Sequence, residues 1–167
     1  MVFAWHRGAA VSVAQFEAAA ATLAASLPPK PYVVNLCEDR YAFTVAFAAS
    51  LMAGQTTLLP PSRAPEAVRE SCEGRDAYTL TDEQVFVAGS ASGAFHVDER
   101  HVAAIVFTSG STGRPEPHAK TWGSLVAGAR ALGAWVGAKG SVIGTVPPQH
   151  MFGLESTVML PLLALVN

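Results

Sequence analysis

The stretch FTSGSTGRPEPHAKTW, residues 107–122, concentrates the kinds of group that bind an anion. Two glycines, Gly110 and Gly113, let backbone N–H groups come close to a ligand, and the hydroxyl side chains beside them add further donors. Those hydroxyl residues are Thr108, Ser109, Ser111 and Thr112. The stretch follows an apolar run typical of a buried strand, and open α/β sheets bind ligands at the carboxyl ends of their strands. Residues Thr108–Pro117 are therefore predicted to form a phosphate-binding loop.

Composition alone leaves an ordinary surface turn as the alternative, because Ser, Thr and Gly are the usual residues of turns. Two standard phosphate-loop motifs do not match, since GxxxxGK followed by Ser or Thr, and GxGxxG, require other spacings. A GxSxG nucleophile elbow is also absent from the stretch.

The stretch is nevertheless similar to the phosphate loop of the acyl-adenylate-forming (AMP-binding) enzymes, which include acyl-CoA synthetases, adenylation domains of nonribosomal peptide synthetases and beetle luciferase. The family pattern is Y/F-T-S-G-S/T-T-G-x-P-K, and FTSGSTGRPE agrees at eight of the nine specified positions. The exception is Glu116, where the family has lysine and where a carboxylate would repel a triphosphate. Arg114 or Lys120 could replace that lysine, or both could be solvated side chains; His118 is a weaker candidate.

A second stretch, TVPPQHMFGL at residues 145–154, resembles the family motif that lines the acyl-substrate pocket. The resemblance implies that His150, Phe152 and Gly153 border the carboxylate substrate. Taken alone, His150 is better explained as a hydrogen-bonded core or loop histidine. The region before residue 100 resembles the family more weakly, through its order of strand, helix and strand.

The resemblance implies a two-step reaction that belongs to an AMP-forming acid–thiol ligase. A carboxylic acid attacks the α-phosphate of ATP, with Mg²⁺ as the metal, to give an acyl-adenylate and pyrophosphate. The thiol of coenzyme A or of an acyl carrier protein then takes the acyl group, and the choice between the two acceptors stays open. The loop residues Thr108 to Gly113 would hold the β- and γ-phosphates, which need electrostatic stabilisation while charge moves on their oxygens.

Composition excludes several other classes of protein. The net charge of −2 provides no basic field for a nucleic-acid partner. Half of the residues are hydrophobic and only 14% are charged, which excludes a disordered chain. Cys37 and Cys72 lie far apart without a CxxC pair, so reduced thiols are expected. No apolar run approaches the roughly 20 residues of a membrane span, and a cytoplasmic location is expected.

Alternating strand and helix patterns predict an α/β fold with a mostly parallel sheet and helices on both faces. An amphipathic helix is predicted at 9–27, where Ser12 and Gln15 form a capping box. Strands are further predicted at 32–37, 55–60, 78–80, 85–87, 101–110 and 141–146, and helices at 41–54, 61–72, 121–136 and 152–166. The last helix is nearly all apolar and is predicted to be buried, with a kink at Pro161.

Family members run to several hundred residues, so the 167 residues are expected to be one α/β domain, the first subdomain of an adenylating enzyme's large domain. The adenine, magnesium and C-terminal lysine motifs have no counterpart, so incomplete catalysis and no tightly bound cofactor are expected from this chain alone. Self-association through uncovered apolar surface is also expected. The alternative is a non-catalytic interaction module on the same fold. A Rossmann-like oxidoreductase lacks its glycine pattern here.

Overall fold

The chain folds around a five-stranded sheet in the computed structural model, which describes residues 1–85, 96–109, 115–137 and 140–163. Two strands form a separate hairpin, β1 (Val2–His6) and β2 (Ala9–Ser12). The five strands of the sheet are β3 (Tyr32–Asn35), β4 (Thr56–Leu59), β5 (Ala77–Leu80), β6 (Val102–Ser109) and β7 (Pro115–Thr121). Its helices are α1 (Val13–Ser26), α2 (Arg40–Met52), α3 (Pro65–Ser71), α4 (Asp82–Val85), α5 (Trp122–Val136), α6 (Met151–Leu154) and α7 (Leu160–Leu163). A π-helical turn, Glu155–Met159, joins α6 to α7.

The sheet has the strand order β5-β3-β4-β6-β7. The first four strands are parallel, and β7 runs antiparallel to β6. Parallel neighbours need long crossover connections, which α2 and α3 supply between β3, β4 and β5. The prediction of a mostly parallel sheet is therefore confirmed.

Alternation along the strands divides the sheet between two covered faces. Val33 and Leu59 belong to the larger apolar cluster, which α1, α2 and α5 also enter. Val34 and Leu58 belong to a smaller cluster on the opposite side, where Val68 of α3 packs. Helices thus lie on both faces, as the sequence predicts.

Helix α2 is the centre of the larger cluster, because ten consecutive residues from Ala42 to Leu51 are buried. A helix that is apolar all round fits only between other layers, and α2 lies between α1 and the sheet. Asp39 accepts a hydrogen bond from the Ala42 N–H at 2.9 Å and so caps the first turn. Gly54, at φ +69°, follows the helix end as predicted.

The first helix begins where its capping box predicts and not at residue 9. Ser12 accepts from the Gln15 N–H, and the Gln15 side chain accepts from the Ser12 N–H. Residues 9–12 instead pair with β1 in a hairpin, which turns at Arg7 and Gly8, both with positive φ. The start set by the capping box is therefore confirmed, and the alanine-rich residues 9–12 before it form strand β2.

The predicted strand at 141–146 is also wrong, since this segment has no ladder partner among the described strands. The Gly144 and Val146 carbonyls accept hydrogen bonds from the Arg40 guanidinium instead, and Ile143 is 90% exposed. Val85 ends helix α4 and is not in a strand, and the other residues of the strand predicted at 85–87 lie outside the described ranges.

The helix predicted at 152–166 is present from Met151 to Leu163, but Phe152 in its first turn is 62% exposed and so is not buried. The π-helical turn ends at Met159, two residues before Pro161, and the Leu160 N–H donates to the Glu155 carbonyl five residues back. Residues 164–167 lie outside the described ranges. Within those ranges, no helix is long and apolar enough to cross a bilayer.

Candidate functional site

The candidate phosphate loop lies where β6 reaches the carboxyl edge of the parallel strands. Strand β6 continues through Thr108 and Ser109, and the pairing with β7 reaches Ser109 opposite Pro115. Both ends of the range predicted as a loop, Thr108–Pro117, therefore belong to strands, with Thr108 and Ser109 in β6 and residues 115–117 in β7. The predicted residues Gly110, Ser111, Thr112, Gly113 and Arg114 lie outside the described ranges.

Thr108 stands at the end of β6 with an exposed side chain. Its Oγ1 lies 3.2 Å from the Nε2 of His118, in a hydrogen bond whose donor depends on the histidine tautomer. Glu116 lies directly opposite Thr108 in the register, and cross-strand partners point to the same side of a sheet. A carboxylate and an imidazole thus flank the hydroxyl that begins the candidate loop.

Lys120 does not lie beside the candidate loop. It pairs with Ala104, five residues before Ser109, which corresponds to about 17 Å along a strand. A lysine side chain does not span that distance, so the register removes Lys120 as a replacement for the family's lysine at position 116. Arg114 is the other cation that the sequence offered, and it lies outside the described ranges.

The second predicted group stands at the start of helix α6. His150 takes the N-cap position, its side chain is exposed, and it makes no side-chain capping bond. Phe152 points out to solvent, whereas Gly153 is buried. A Cβ at position 153 would lie 2.1 Å from the carbonyl oxygen of Pro147, so only glycine fits the close approach of helix and turn. No hydrogen bond joins this group to Thr108 or Ser109 in the described part of the chain.

Arg40 holds the segment that leads into α6, and sequence reasoning missed this role. Its Nη2 donates to the carbonyl oxygens of Gly144 at 3.1 Å and Val146 at 2.7 Å. Its Nη1 donates to Thr157 Oγ1, and Thr157 Oγ1 itself donates to the Gly153 carbonyl at 2.6 Å. We call His150, Phe152 and Gly153 the candidate acyl wall. The Arg40 guanidinium therefore links the start of α2 to the segments before and after this wall. Arg40 ends a charged trio, residues 38–40, at the start of a helix, and this local pattern does not indicate a partner more than 100 residues away.

Neither cysteine is suited to act as a nucleophile or as a thiolate acceptor. Burial raises the pKa of Cys37 to about 12, with the Asp82 charge adding to the effect and Arg63 opposing it. Burial also raises the pKa of Cys72, which Arg75 partly offsets. Both thiols are free, in agreement with the predicted reduced state, and protonated at neutral pH.

The described residues also contain no cluster of three His, Cys, Asp or Glu side chains that could hold a metal ion. The arrangement offers hydroxyl groups at a sheet edge and an imidazole beside them, which suits anion binding more than acid–base chemistry.

Comparisons with known proteins identify a family and the same type of fold. A family model described as "AMP-binding enzyme" matches residues 9–166. Among curated proteins, a 4-coumarate–CoA ligase of Halorhodospira halophila is 40% identical over 63 residues, which are 37% of this chain and 16% of that protein. A 4-coumarate–CoA ligase of Rhodobacter capsulatus is 42% identical over 65 residues, 36% of this chain and 17% of that protein.

Solved structures resemble the chain over nearly its whole length. The O-succinylbenzoate coenzyme A synthetase MenE of Bacillus subtilis, in complex with ATP and magnesium ion, superposes with a TM-score of 0.73 at 17% identity, covering 93% of this chain and 49% of that one. ATP-bound MatB of Rhodopseudomonas palustris gives a TM-score of 0.68 at 20% identity, with 94% and 39% covered. At these identities the likeness establishes the fold, and the chain spans half or less of each of these proteins.

Proposed function

Because the chain belongs to the AMP-binding enzyme family, we propose that it supplies the phosphate-binding loop and one acyl-pocket wall of an AMP-forming acid–thiol ligase. The reaction joins a carboxylic acid to ATP, releases pyrophosphate, and passes the acyl group from the adenylate to a thiol. Coenzyme A is the acceptor that the names of the similar ligases favour. One observation carries the proposal: the family's phosphate-loop pattern agrees at eight of nine positions and stands at the carboxyl edge of the sheet.

In the proposed reaction the loop residues Thr108, Ser109, Gly110, Ser111, Thr112 and Gly113 hold the β- and γ-phosphates of ATP, with Mg²⁺ on the phosphate oxygens. Their hydroxyl and N–H donors stabilise negative charge as it moves onto the leaving pyrophosphate, which is the main requirement of phosphate chemistry of this kind. Arg114 adds a positive charge beside the loop. His150, Phe152 and Gly153 border the acid, and Gly153 keeps the wall close to the preceding turn.

Glu116 favours a second candidate function, a non-catalytic module that uses the same fold to bind a partner. Its carboxylate lies opposite Thr108, where it repels a triphosphate instead of attracting one. His118 stands on the same side of the strand pair, 3.2 Å from the Thr108 hydroxyl, and its ring N–H is a donor that an anion at this edge could use. The balance between these two side chains decides whether the loop still accepts a polyphosphate.

Pyrophosphate exchange into ATP tests the ligase proposal directly. This chain and a longer version that continues past Asn167 are each incubated with ATP, Mg²⁺, labelled pyrophosphate and one acid at a time, namely 4-coumarate or O-succinylbenzoate. Exchange is expected from the longer version, and no exchange is expected from this chain alone. The Glu116→Lys variant of the longer version restores the family residue and is expected to raise exchange about tenfold, the factor that removing about 1.4 kcal/mol of repulsion gives. Glu70→Lys makes the same charge change at an exposed site on α3 and is expected to change nothing.

Binding of ATP or pyrophosphate, measured by calorimetry, separates the two candidate functions where exchange is absent. Replacing Ser111 and Thr112 by alanine is expected to weaken that binding about tenfold or more, since two loop donors are lost. Unchanged affinity contradicts the loop assignment. No exchange and no nucleotide binding, with or without Glu116→Lys, favours the interaction module.

Self-association is part of the proposal, because several large apolar side chains are exposed. Among the described residues, Trp5, Trp135, Ile143 and Phe152 are each more than 60% exposed. Apolar patches of this kind usually find a partner. Sedimentation velocity is expected to show dimers or larger species, and a monodisperse monomer at high concentration contradicts this part.

A further inference from the structure

A cavity of about 910 Å³ lies beside the candidate acyl wall, to which Arg40 and Thr157 join it. It opens between the hairpin strand β1, the start of α2, the second half of α5 and residues 140–144. None of the described residues 108–109, 115–121 or 150–153 lines it. Its volume is within the range of small-molecule sites, which is several hundred to about 1,000 Å³.

The floor and walls of the cavity combine apolar surface with positive charge. Phe3, Ala129, Leu160 and Leu163 supply apolar surface, and Trp5 and Ile143 form an exposed apolar rim. Arg40 and Arg130 both line the cavity, and no Asp or Glu is among its described lining residues. The field inside the cavity therefore favours an anion.

The hydrogen bonds of Arg40 indicate where in the cavity an anion would bind. Its three hydrogen bonds go to two backbone carbonyls and one hydroxyl, which are all neutral acceptors. A guanidinium carries five N–H donors, so two remain for a ligand. Burial lowers the pKa of Arg40, and no carboxylate counteracts that effect. A partly buried cation without a counter-charge is costly, and an anionic ligand would remove that cost.

We propose that this cavity binds an amphipathic monocarboxylate, with the carboxylate on the Arg40 and Arg130 guanidinium groups and the apolar body against α5 and β1. Arginine presents its donors in a fork that matches a carboxylate, and the large apolar wall requires a ligand with a hydrocarbon or aromatic body. An inorganic anion would use the charge but leave the wall in contact with water. The site is separate from the proposed nucleotide loop and does not depend on ligase activity.

Isothermal titration calorimetry with octanoate as the probe tests the proposal, and octan-1-ol serves as the uncharged control of equal chain length. No nucleotide is present, so the result does not depend on the ligase proposal. Octanoate is expected to bind at least tenfold more tightly than octan-1-ol, and more weakly as salt increases. Equal affinity for the two, or no binding of octanoate at millimolar concentration, overturns the proposal.

Four variants locate the bound carboxylate. Arg130→Gln removes an exposed guanidinium and is expected to weaken octanoate 3- to 10-fold with no effect on octan-1-ol. Arg69→Gln removes an exposed arginine on α3 and is expected to change neither. Ala134→Trp fills part of the cavity from the exposed side of α5 and is expected to weaken both ligands. Arg40→Gln is expected to abolish the preference for octanoate.

Arg40→Gln also loses the bonds to Gly144 and Val146, so its folding is checked by circular dichroism. If that variant does not fold, Arg130→Gln and Ala134→Trp decide the question. Octanoate bound at the candidate acyl wall would instead depend on Phe152, so Phe152→Ala distinguishes that wall from the cavity. The expected result is binding that Ala134→Trp weakens and Phe152→Ala does not. Loss of octanoate binding in Phe152→Ala but not in Ala134→Trp would place the carboxylate at the acyl wall and overturn the proposal.

Discussion

Two regions of the chain contrast in how their backbone is held. In the sheet interior, residues 32–59, the backbone of strands β3 and β4 and of helix α2 is paired in a regular ladder and regular helical turns. In residues 140–163, carbonyls of an irregular segment accept from Arg40, more than 100 residues earlier in the chain. Local pattern thus determines the first region, and one distant side chain determines much of the second.

The contrast explains which predictions from sequence succeed. Apolar runs such as YVV in β3 and the largely apolar helix α2 predict buried elements, because no other placement hides them from water. The run SVIGTV has the same local signature, yet its Gly144 would clash with the Arg40 guanidinium if it carried a Cβ. No local rule contains that contact, so the strand prediction at 141–146 is wrong while those at β3 and β4 are confirmed.

Phe47→Ala should have the largest effect, because it removes a fully buried aromatic ring from α2. Truncation of a core phenylalanine is expected to lower the free energy of unfolding by about 3–5 kcal/mol. Urea unfolding followed by circular dichroism measures the change. The control, Trp135→Ala, truncates an aromatic side chain that is 84% exposed. If Trp135→Ala lowered the free energy of unfolding as much as Phe47→Ala does, burial in the core would not explain the effect of Phe47→Ala.

Gly153→Ala tests the irregular region in the same assay. The new methyl group meets the carbonyl of Pro147, which belongs to the backbone and cannot move aside easily, so a loss of about 2–3 kcal/mol is expected. The matched control is Gly128→Ala in α5, where the nearest atom is the flexible Glu155 carboxylate. That control is expected to be neutral or stabilising, since alanine favours a helix over glycine by up to about 1 kcal/mol.

Asp39→Ala acts at the junction between the two regions, one residue before Arg40. Burial alone would raise the pKa of Asp39, but hydrogen bonds from the Ala42 N–H and from His6 outweigh burial and hold it below 3.8. The folded pKa is therefore lower than the unfolded one, so the ionised cap stabilises above about pH 4 and its contribution is lost as the pH falls further. The substitution is expected to cost about 1 kcal/mol at pH 7.

The same unfolding measurement at pH 3 should show a smaller difference between Asp39→Ala and the parent chain. A difference of equal size at both pH values would mean that the charge of Asp39 contributes nothing. His6 lies 2.9 Å from the Asp39 carboxylate and joins the hairpin to α2, so the loss should extend to the hairpin.

Thr57→Val comes last because its expected effect has the opposite sign. The Thr57 hydroxyl is fully buried in β4 and has no hydrogen-bond partner among the residues that the structure describes. Replacing an unsatisfied hydroxyl by a methyl group of similar shape is expected to stabilise the fold by about 1 kcal/mol. Thr79→Val makes the same change at an exposed position of β5 and is expected to alter stability by less than about 0.5 kcal/mol. Destabilisation by Thr57→Val would indicate a partner for that hydroxyl.

The candidate site was predictable in its residue types and only partly in its geometry. The apolar run before the hydroxyl and glycine residues predicts a strand at 101–110, and β6 spans Val102–Ser109. The pattern does not reveal that β7 returns antiparallel, although that register sets Glu116 opposite Thr108 and removes Lys120 from the loop. Pairing partners depend on which strand comes next in space, and linear spacing does not encode this.

The two prolines of β7 have a consequence for how copies of the molecule can meet. Strand β7 is the last strand of the described sheet, and Pro115 and Pro117 fall on alternate residues of it. Alternate residues direct their amides to the same side of a strand, and proline has none to offer, so the outer rim lacks donors at two successive positions. A strand of another chain therefore cannot form a complete hydrogen-bond ladder with this edge, which disfavours fibre growth through β7. Contact between copies through the exposed apolar side chains elsewhere is still open.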